Sequence, residues 1–247
     1  MTIELKYKMS IVIVNYNNNT GLKKTLRFLN ENIREFIENS DIEIVIIDGL
    51  SLDNSINTLK EYSNIINTLV IEKDQGIYDA MNKGIHYSNG RYCYFLNTND
   101  TFNSELLSEI IHVISLDIYD LLVFPVNRYN ENNQHIGMKP LNIMKPDDFI
   151  NDMPVCHQGT VFKRKHLLYY DTSYKIIADK DLIYRYVKNG SKIKYFNSPL
   201  MDYYENGYSI NNISQWKFEN IIFCLKNFKN KKRLFYYIIS FLKSKLF

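Results

Sequence analysis

Short runs of uninterrupted apolar, β-branched residues alternate along the chain with longer stretches whose apolar positions recur at helical spacing. Ser10–Val14 reads SIVIV and Ile42–Ile47 reads IEIVII, the pattern of strands buried on both faces. Thr68–Ile71 predicts a short third strand and Tyr92–Leu96 a fourth. Between them, Leu22, Leu26, Leu29, Ile33 and Ile37 predict one amphipathic helix over Leu22–Ile37. Ser51–Asn54 carries helix-start chemistry ahead of Ile56, Leu59 and Tyr62, with Asp53 expected to cap that helix. Ile77–Tyr87 predicts a third helix, closed by Asn89-Gly90. Repeated βα winding of this kind implies an α/β fold with a mostly parallel sheet and right-handed crossovers.

The second half is less regular. Leu121–Val126 predicts a strand that Pro125 bends or confines to an edge. Asn130–Asn133 reads as a hairpin turn, Lys180–Val187 as a helix and Lys192–Phe196 as an exposed edge strand. From about Gln215 the pattern changes again. Ile221, Ile222, Leu225 and Phe228 form one apolar face, and Leu234–Leu242 follows a basic cluster at Lys229–Arg233. Flanking lysines and an aromatic-aliphatic face suit a helix lying in a membrane interface, with packing on the domain or a dimer contact as the alternatives. The expected organisation is a domain over residues 1–214, divided near residue 100, and a basic helical tail over 215–247.

Composition narrows the class. The chain has 247 residues, 45% of them hydrophobic and 14% aromatic, enough to bury a sizeable core and to exclude extended disorder. It contains 30 Asn and only 2 Ala, a bias that carries no functional weight. The formal charge of +3 is uneven. Seven cations and no anion lie between Asn220 and the C-terminus, leaving 23 basic and 27 acidic residues in the body. An acidic body argues against a nucleic-acid partner, and a basic tail suits an anionic membrane face. Cys93, Cys156 and Cys224 are widely spaced and odd in number, which predicts free core thiols rather than disulfides or zinc ligands. With no signal-peptide core and no spanning run of about 20 apolar residues, the expected location is cytoplasmic, peripheral at the inner membrane face.

Ligands of open α/β sheets sit beyond the carboxyl ends of the strands. That rule singles out three polar loops, Asn15–Thr20, Asp48–Asp53 and Asn97–Thr101. Asp48, with Ser51 close by, can accept from a base N–H or a ribose hydroxyl. Asn82 and Lys83 lie on a helix that follows Gly76, where an N-terminus and a cation attract phosphate. Asp100, with amide oxygens from Asn97 and Asn99, offers hard donors to a divalent metal carrying a diphosphate. Asp179 and Asp181 open a helix, and an aspartate there can take a proton from an acceptor hydroxyl. His157 and Gln158 are candidate phosphate or acceptor contacts. Each signal alone also fits an ordinary turn, cap or amphipathic helix.

Their order along one chain is more specific. SIVIVNYNN, IIDGLSLDNS, DQGIYDAMNKGI, GRYCYFLNTND, HQGTVFKRKHL, ADKDLIYRYVKNG and NGYS, over about residues 8–210, resemble the family 2 glycosyltransferases of the GT-A fold, in a branch that assembles bacterial surface polysaccharide. The resemblance implies a nucleotide-diphosphate sugar donor, first of all a UDP-sugar, and Mg²⁺ or Mn²⁺. It implies a saccharide or lipid-linked acceptor in capsule, O-antigen or lipopolysaccharide synthesis. Val14, Asn15 and Tyr16 then match the first base-contacting loop, Asp48 the base-reading aspartate, and Lys83 with Asn82 a donor-side position. Asn97–Asp100 matches the metal-binding DxD region, with Asn at the first and third acidic positions, so that metal affinity is expected to be weaker. Asp179 matches the catalytic base of a single inverting displacement, supported by Asp181. The competing expectation is a binding or scaffold protein that kept the fold. A nucleotidyltransferase would need a Gly-rich basic loop after the first strand, where this chain has Asn15–Asn19.

Overall fold

A computed structural model describes residues 5–130, 132, 134–150, 152–165, 168–204 and 212–228. Four parallel strands form its first half: β1 (Tyr7–Asn15), β2 (Ile42–Asp48), β3 (Thr68–Ile71) and β4 (Gly90–Asn97). Three further strands complete one sheet: β5 (Leu121–Val123), β8 (Thr160–Lys163) and β9 (Ile193–Tyr195). The strand order is β3-β2-β1-β4-β8-β5-β9, and β8 runs antiparallel to both of its neighbours. β9 is one of the two edge strands, as its alternating sequence predicts, and β3 is the other.

Strand parity assigns the core. Ile11, Ile13, Ile44, Ile46, Tyr92 and Tyr94 point to one face, and Val12, Val45, Ile47, Cys93 and Phe95 to the other. The first face is covered by α1 (Asn19–Asn32), α3 (Ser55–Glu61) and α5 (Leu107–Ser115) through Leu22, Leu26, Leu59 and Ile110. The second is covered by α4 (Ile77–Tyr87), α6 (Ala178–Lys188) and α7 (Ile213–Asn227) through Met81, Leu182 and Phe223. Burial on both faces explains why these strands are continuous apolar runs.

Three expectations change. The single helix over Leu22–Ile37 is two, α1 and α2 (Arg34–Glu38), because Ile33 leaves helical dihedrals at φ −129° while fully buried. The strand expected over Leu121–Val126 breaks before Pro125, and the chain steps into a second sheet of order β10-β6-β7, formed by β6 (Val126–Tyr129), β7 (His135–Met138) and β10 (Met201–Tyr204). Residues 215–228 are not a separate tail. α7 buries Phe223, Cys224, Glu219 and Asn220 against the domain, and Lys226 pairs with Asp171 at 3.0 Å. Of its expected membrane face, Ile222 and Leu225 are exposed, whereas Ile221 and Phe228 pack on the core. The remaining cations, Leu234–Leu242 and the NGYS motif lie outside the described residues.

The N-cap of α3 is Asn54, not the expected Asp53, and its side chain makes no capping bond. The Asp53 carboxylate accepts from the Ser55 amide and also from the Asn19 amide at the start of α1. Cys93, Cys156 and Cys224 are free and buried. Among the described residues no helix is long and apolar enough to cross a membrane. Gly90 opens β4 beside β1, where a Cβ would stand 2.5 Å from the Ser10 amide nitrogen and 2.7 Å from the Met9 carbonyl carbon. Gly90→Ala must therefore push two central strands apart. The expected cost is about 1–3 kcal/mol, a Tm loss of roughly 3–10 °C in thermal unfolding.

Candidate active site

The carboxyl ends of β1, β2, β3 and β4 lie side by side, so the loops that follow them meet at one edge of the sheet. Asn15 and Asp48 are register partners on β1 and β2. The Asn15 amide nitrogen donates to the Asp48 carboxylate at 2.7 Å and lies 3.0 Å from the Ser55 hydroxyl. Ser51 donates its hydroxyl to Asp48 at 2.8 Å and its amide at 2.7 Å, while its Oγ accepts from the Asn17 amide. Asp48 is 0% exposed. The Asp48 carboxylate, expected to meet a base, here faces its own loops. Asp48 and Ser51 instead hold the first two loops in shape. Asn15 keeps one unspent atom, its buried Oδ1, which has no hydrogen-bond partner among the described residues.

That network sustains unusual backbone. Asn17 (φ 48°), Leu50 (φ 61°) and Asn99 (φ 80°) are left-handed, one in each of the three polar loops. Asn tolerates this conformation, but Leu does so at a cost of about 1 kcal/mol or more, so the surrounding bonds must enforce it. Leu50 is 49% exposed and Tyr16 65%. The Tyr16 ring and the Asp74 carboxylate both lie against Gly49, where a Cβ would meet them at 3.1 Å and 2.4 Å. Three successive βα loops thus bring an exposed ring and a carboxylate together. Asp74 was not singled out from sequence. It sits in the loop before α4, where no periodicity marks it, and its one signal is its place in DQGIYDAMNKG.

Asn82 and Lys83 are committed elsewhere. The Asn82 side chain exchanges hydrogen bonds with the backbone of Tyr170, accepting at 2.8 Å and donating at 3.0 Å. Lys83 reaches Glu72 at 3.0 Å, Asp79 at 3.6 Å and the Lys73 carbonyl at 2.7 Å. It ties down the loop that carries Asp74 rather than standing as an open cation.

Asp100 follows β4. Its carbonyl accepts from the Thr25 hydroxyl at 2.9 Å, and Asn18 holds Thr98 at 2.9 Å. Burial pushes the Asp100 carboxyl up to about 6, opposed by Lys24 and by the Asn97 side chain. Among the described residues no group of three or more His, Cys, Asp or Glu surrounds a metal position. One desolvated carboxylate beside Asn amides still fits Mg²⁺ or Mn²⁺ when substrate phosphates complete the shell, since such ions commonly keep only one or two protein carboxylates.

Asp179 lies in the first turn of α6. Its Oδ1 accepts from the Lys180 amide at 2.8 Å and from the Tyr78 hydroxyl of α4 at 3.3 Å. None of the described residues donates to Oδ2. Burial pushes this carboxyl up to about 6, against the lowering effect of those two donors. Tyr78 also donates to the Ile176 carbonyl at 2.7 Å, so α4 and the start of α6 are joined at this point.

The remaining candidates have structural partners. Asp181, expected to support the base, is buried and paired with Arg185 at 2.8 Å. His157 is buried among Phe95, Phe162 and Tyr170 and shares a 2.6 Å hydrogen bond with the Tyr170 hydroxyl. Burial pushes its pKa down to about 4, so it is neutral near pH 7 and offers phosphate no charge. The Gln158 oxygen accepts from the Cys156 thiol.

Comparison with known proteins finds glycosyltransferases by sequence and by fold. A PGL/p-HBAD biosynthesis glycosyltransferase of Mycobacterium bovis is 28% identical over 188 residues, covering 72% of this chain and 71% of the relative. TarP of Staphylococcus aureus, a poly(ribitol-phosphate) beta-N-acetylglucosaminyltransferase, is 24% identical over 47% of this chain and 36% of the relative. The fold matches S. aureus TarS 1–349 in complex with UDP-GlcNAc, with a TM-score of 0.67, 15% identity, and coverage of 95% of this chain and 71% of that one. It also matches a Pyrobaculum calidifontis mannosyltransferase in complex with GDP-Man and Mn²⁺, with a TM-score of 0.64, 13% identity, and coverage of 93% and 68%. The glycosyl transferase family 2 model matches residues 10–182, and the chain belongs to that family, on a GT-A fold.

Proposed function

We propose that the chain transfers a sugar from a UDP-sugar to a saccharide or lipid-linked acceptor in surface-polysaccharide assembly, by one inverting displacement. The observation that carries this reading is the link through α4. Its preceding loop places Asp74 against Gly49 and Tyr16, while its first turn places Tyr78 on Asp179. One helix thus connects a base-sized aromatic platform to a carboxylate suited to proton transfer.

In this reading the nucleotide base stacks on Tyr16, and Asp74 accepts from a base N–H. The diphosphate lies toward Asp100, with Asn97 and Asn99 completing a hard-oxygen set. When bound there, Mg²⁺ or Mn²⁺ neutralises charge on the departing diphosphate. Oδ2 of Asp179 takes the proton of the acceptor hydroxyl as that oxygen attacks the anomeric carbon. Tyr78 and the Lys180 amide hold Oδ1 and fix the direction of Oδ2. With a pKa near 6 the group is ionised at neutral pH and takes a proton more readily than an exposed carboxylate would.

Base stacking on an aromatic ring contributes about 1–3 kcal/mol, so Tyr16→Ala weakens UDP-sugar binding roughly 5–150-fold. Calorimetric titration of both chains with UDP-GlcNAc, UDP-Glc, UDP-Gal and GDP-Man checks this. Binding that is indifferent to Tyr16, or absent for every donor, contradicts the proposed donor site.

A further inference from the structure

We infer that Glu219 of α7 is a positioning residue for the reaction, setting the start of α6 and hence the Asp179 carboxylate. The inference rests on the reading of Asp179 as the base. α6 has no side-chain cap of its own, since its N-cap residue is Ile177. The amides that precede its first turn go instead to a residue far along the chain. Glu219 Oε2 accepts from the Ile176 amide at 2.9 Å and from the Ile177 amide at 3.2 Å, and Oε1 accepts from the Lys175 amide at 2.7 Å. Gln215, one turn earlier on α7, donates to the same Oε1 at 2.8 Å.

A buried carboxylate facing three consecutive backbone N–H groups does the work of a cap from outside the helix. The arrangement is specific to the site. The Ile176 carbonyl, in the segment Glu219 grips, is the one that accepts from Tyr78, and Tyr78 bonds Asp179. A second tie lies one residue beyond Asp179: the buried Lys180 ammonium donates to Asn220 Oδ1 at 2.5 Å and stands 5.0 Å over the Phe223 ring. Two adjacent residues of α7 therefore grip both sides of Asp179. An apolar pair here would leave these amides and the Lys180 ammonium unpartnered, so the start of α6 depends on both residues.

The groups that face Asp179 are the Tyr78 hydroxyl and Lys180, with Tyr170 and Cys156 close enough to feel its charge. If Glu219 positions it, Glu219→Gln lowers kcat at least tenfold with donor KM unchanged. It also moves the acid limb of the kcat–pH profile from about 6 toward the ordinary carboxylate range, because a loosened Asp179 is better solvated. Gln215→Ala, at an exposed position, should shift both quantities in the same direction by less while keeping a folded chain. Lys226→Ala, on the same helix but breaking an exposed pair with Asp171, leaves kcat and limb in place. The inference is overturned if Glu219→Gln and Gln215→Ala leave the limb in place with kcat following only the folded fraction. Retained activity in Asp179→Asn, measured in parallel, would instead overturn the reading of the base itself.

Discussion

Asp179→Asn lowers kcat by about 10²–10⁴-fold, the span that general-base catalysis contributes, and leaves donor affinity unchanged. Asn keeps an Oδ1 that accepts from Tyr78 and the Lys180 amide, so the geometry survives and only the proton acceptor is lost. The same substitution carries a stability signature. Burial raises the folded pKa to about 6, above the ordinary value of 3.8, so the folded chain binds the extra proton. The stability this group contributes is fully present below about pH 4 and is lost as pH rises through about 6. At pH 7 the desolvated, half-buried carboxylate is therefore a burden, and Asp179→Asn raises Tm there by a few degrees while leaving Tm near pH 4 unchanged. Scanning fluorimetry at the two pH values, beside turnover, checks both halves. A variant less stable at pH 7 and still active would place the carboxylate outside the chemistry.

Asp100→Asn is expected to remove divalent-cation dependence and to cut kcat/KM by about 10²-fold or more, since it deletes the one carboxylate of the candidate metal position. The proton and the metal compete for this group. Its pKa near 6 means that Mn²⁺ affinity measured with bound UDP holds above about pH 6 and falls roughly tenfold per pH unit below it. Electron paramagnetic titration of Mn²⁺ follows that dependence without turnover. Affinity that ignores both pH and Asp100 would move the cation elsewhere.

Sequence pattern located the sheet centre because β1, β2 and β4 are buried on both faces and so are written as unbroken apolar runs. α4 spans the residues its periodicity marks, but an extended Ser88 ends it, and Gly90, expected to close it, opens β4 instead. The reversed strand β8 was not legible. Four residues, Thr160–Lys163, carry no direction in their composition, and their partners β4 and β5 are far away in sequence. The apolar face of α7 was legible, but not what it covers. A stripe of Ile and Phe fits a membrane surface or a domain face equally well, and the deciding residues, Glu219 and Asn220, are polar ones that pattern reading places outside. The site divides in the same way. Asp179 and Asp100 stood out by motif. Asp48, Asn82 and His157 stood out too, yet they are chemically prominent residues spent on building loops, as only their partners reveal. Asp74 was hidden because its value comes from a neighbour, Gly49, brought to it by the sheet.

The central claim is that this edge of the sheet turns over a nucleotide sugar. The most direct measurement is release of UDP or GDP from a panel of nucleotide sugars, with lipid-linked acceptor extract, in Mn²⁺ and in EDTA, for the native chain and Asp179→Asn. The account predicts release from a UDP-sugar that requires acceptor and Mn²⁺ and disappears in Asp179→Asn. Donor binding without release under every condition, or release that survives EDTA and the loss of Asp179 alike, would contradict it.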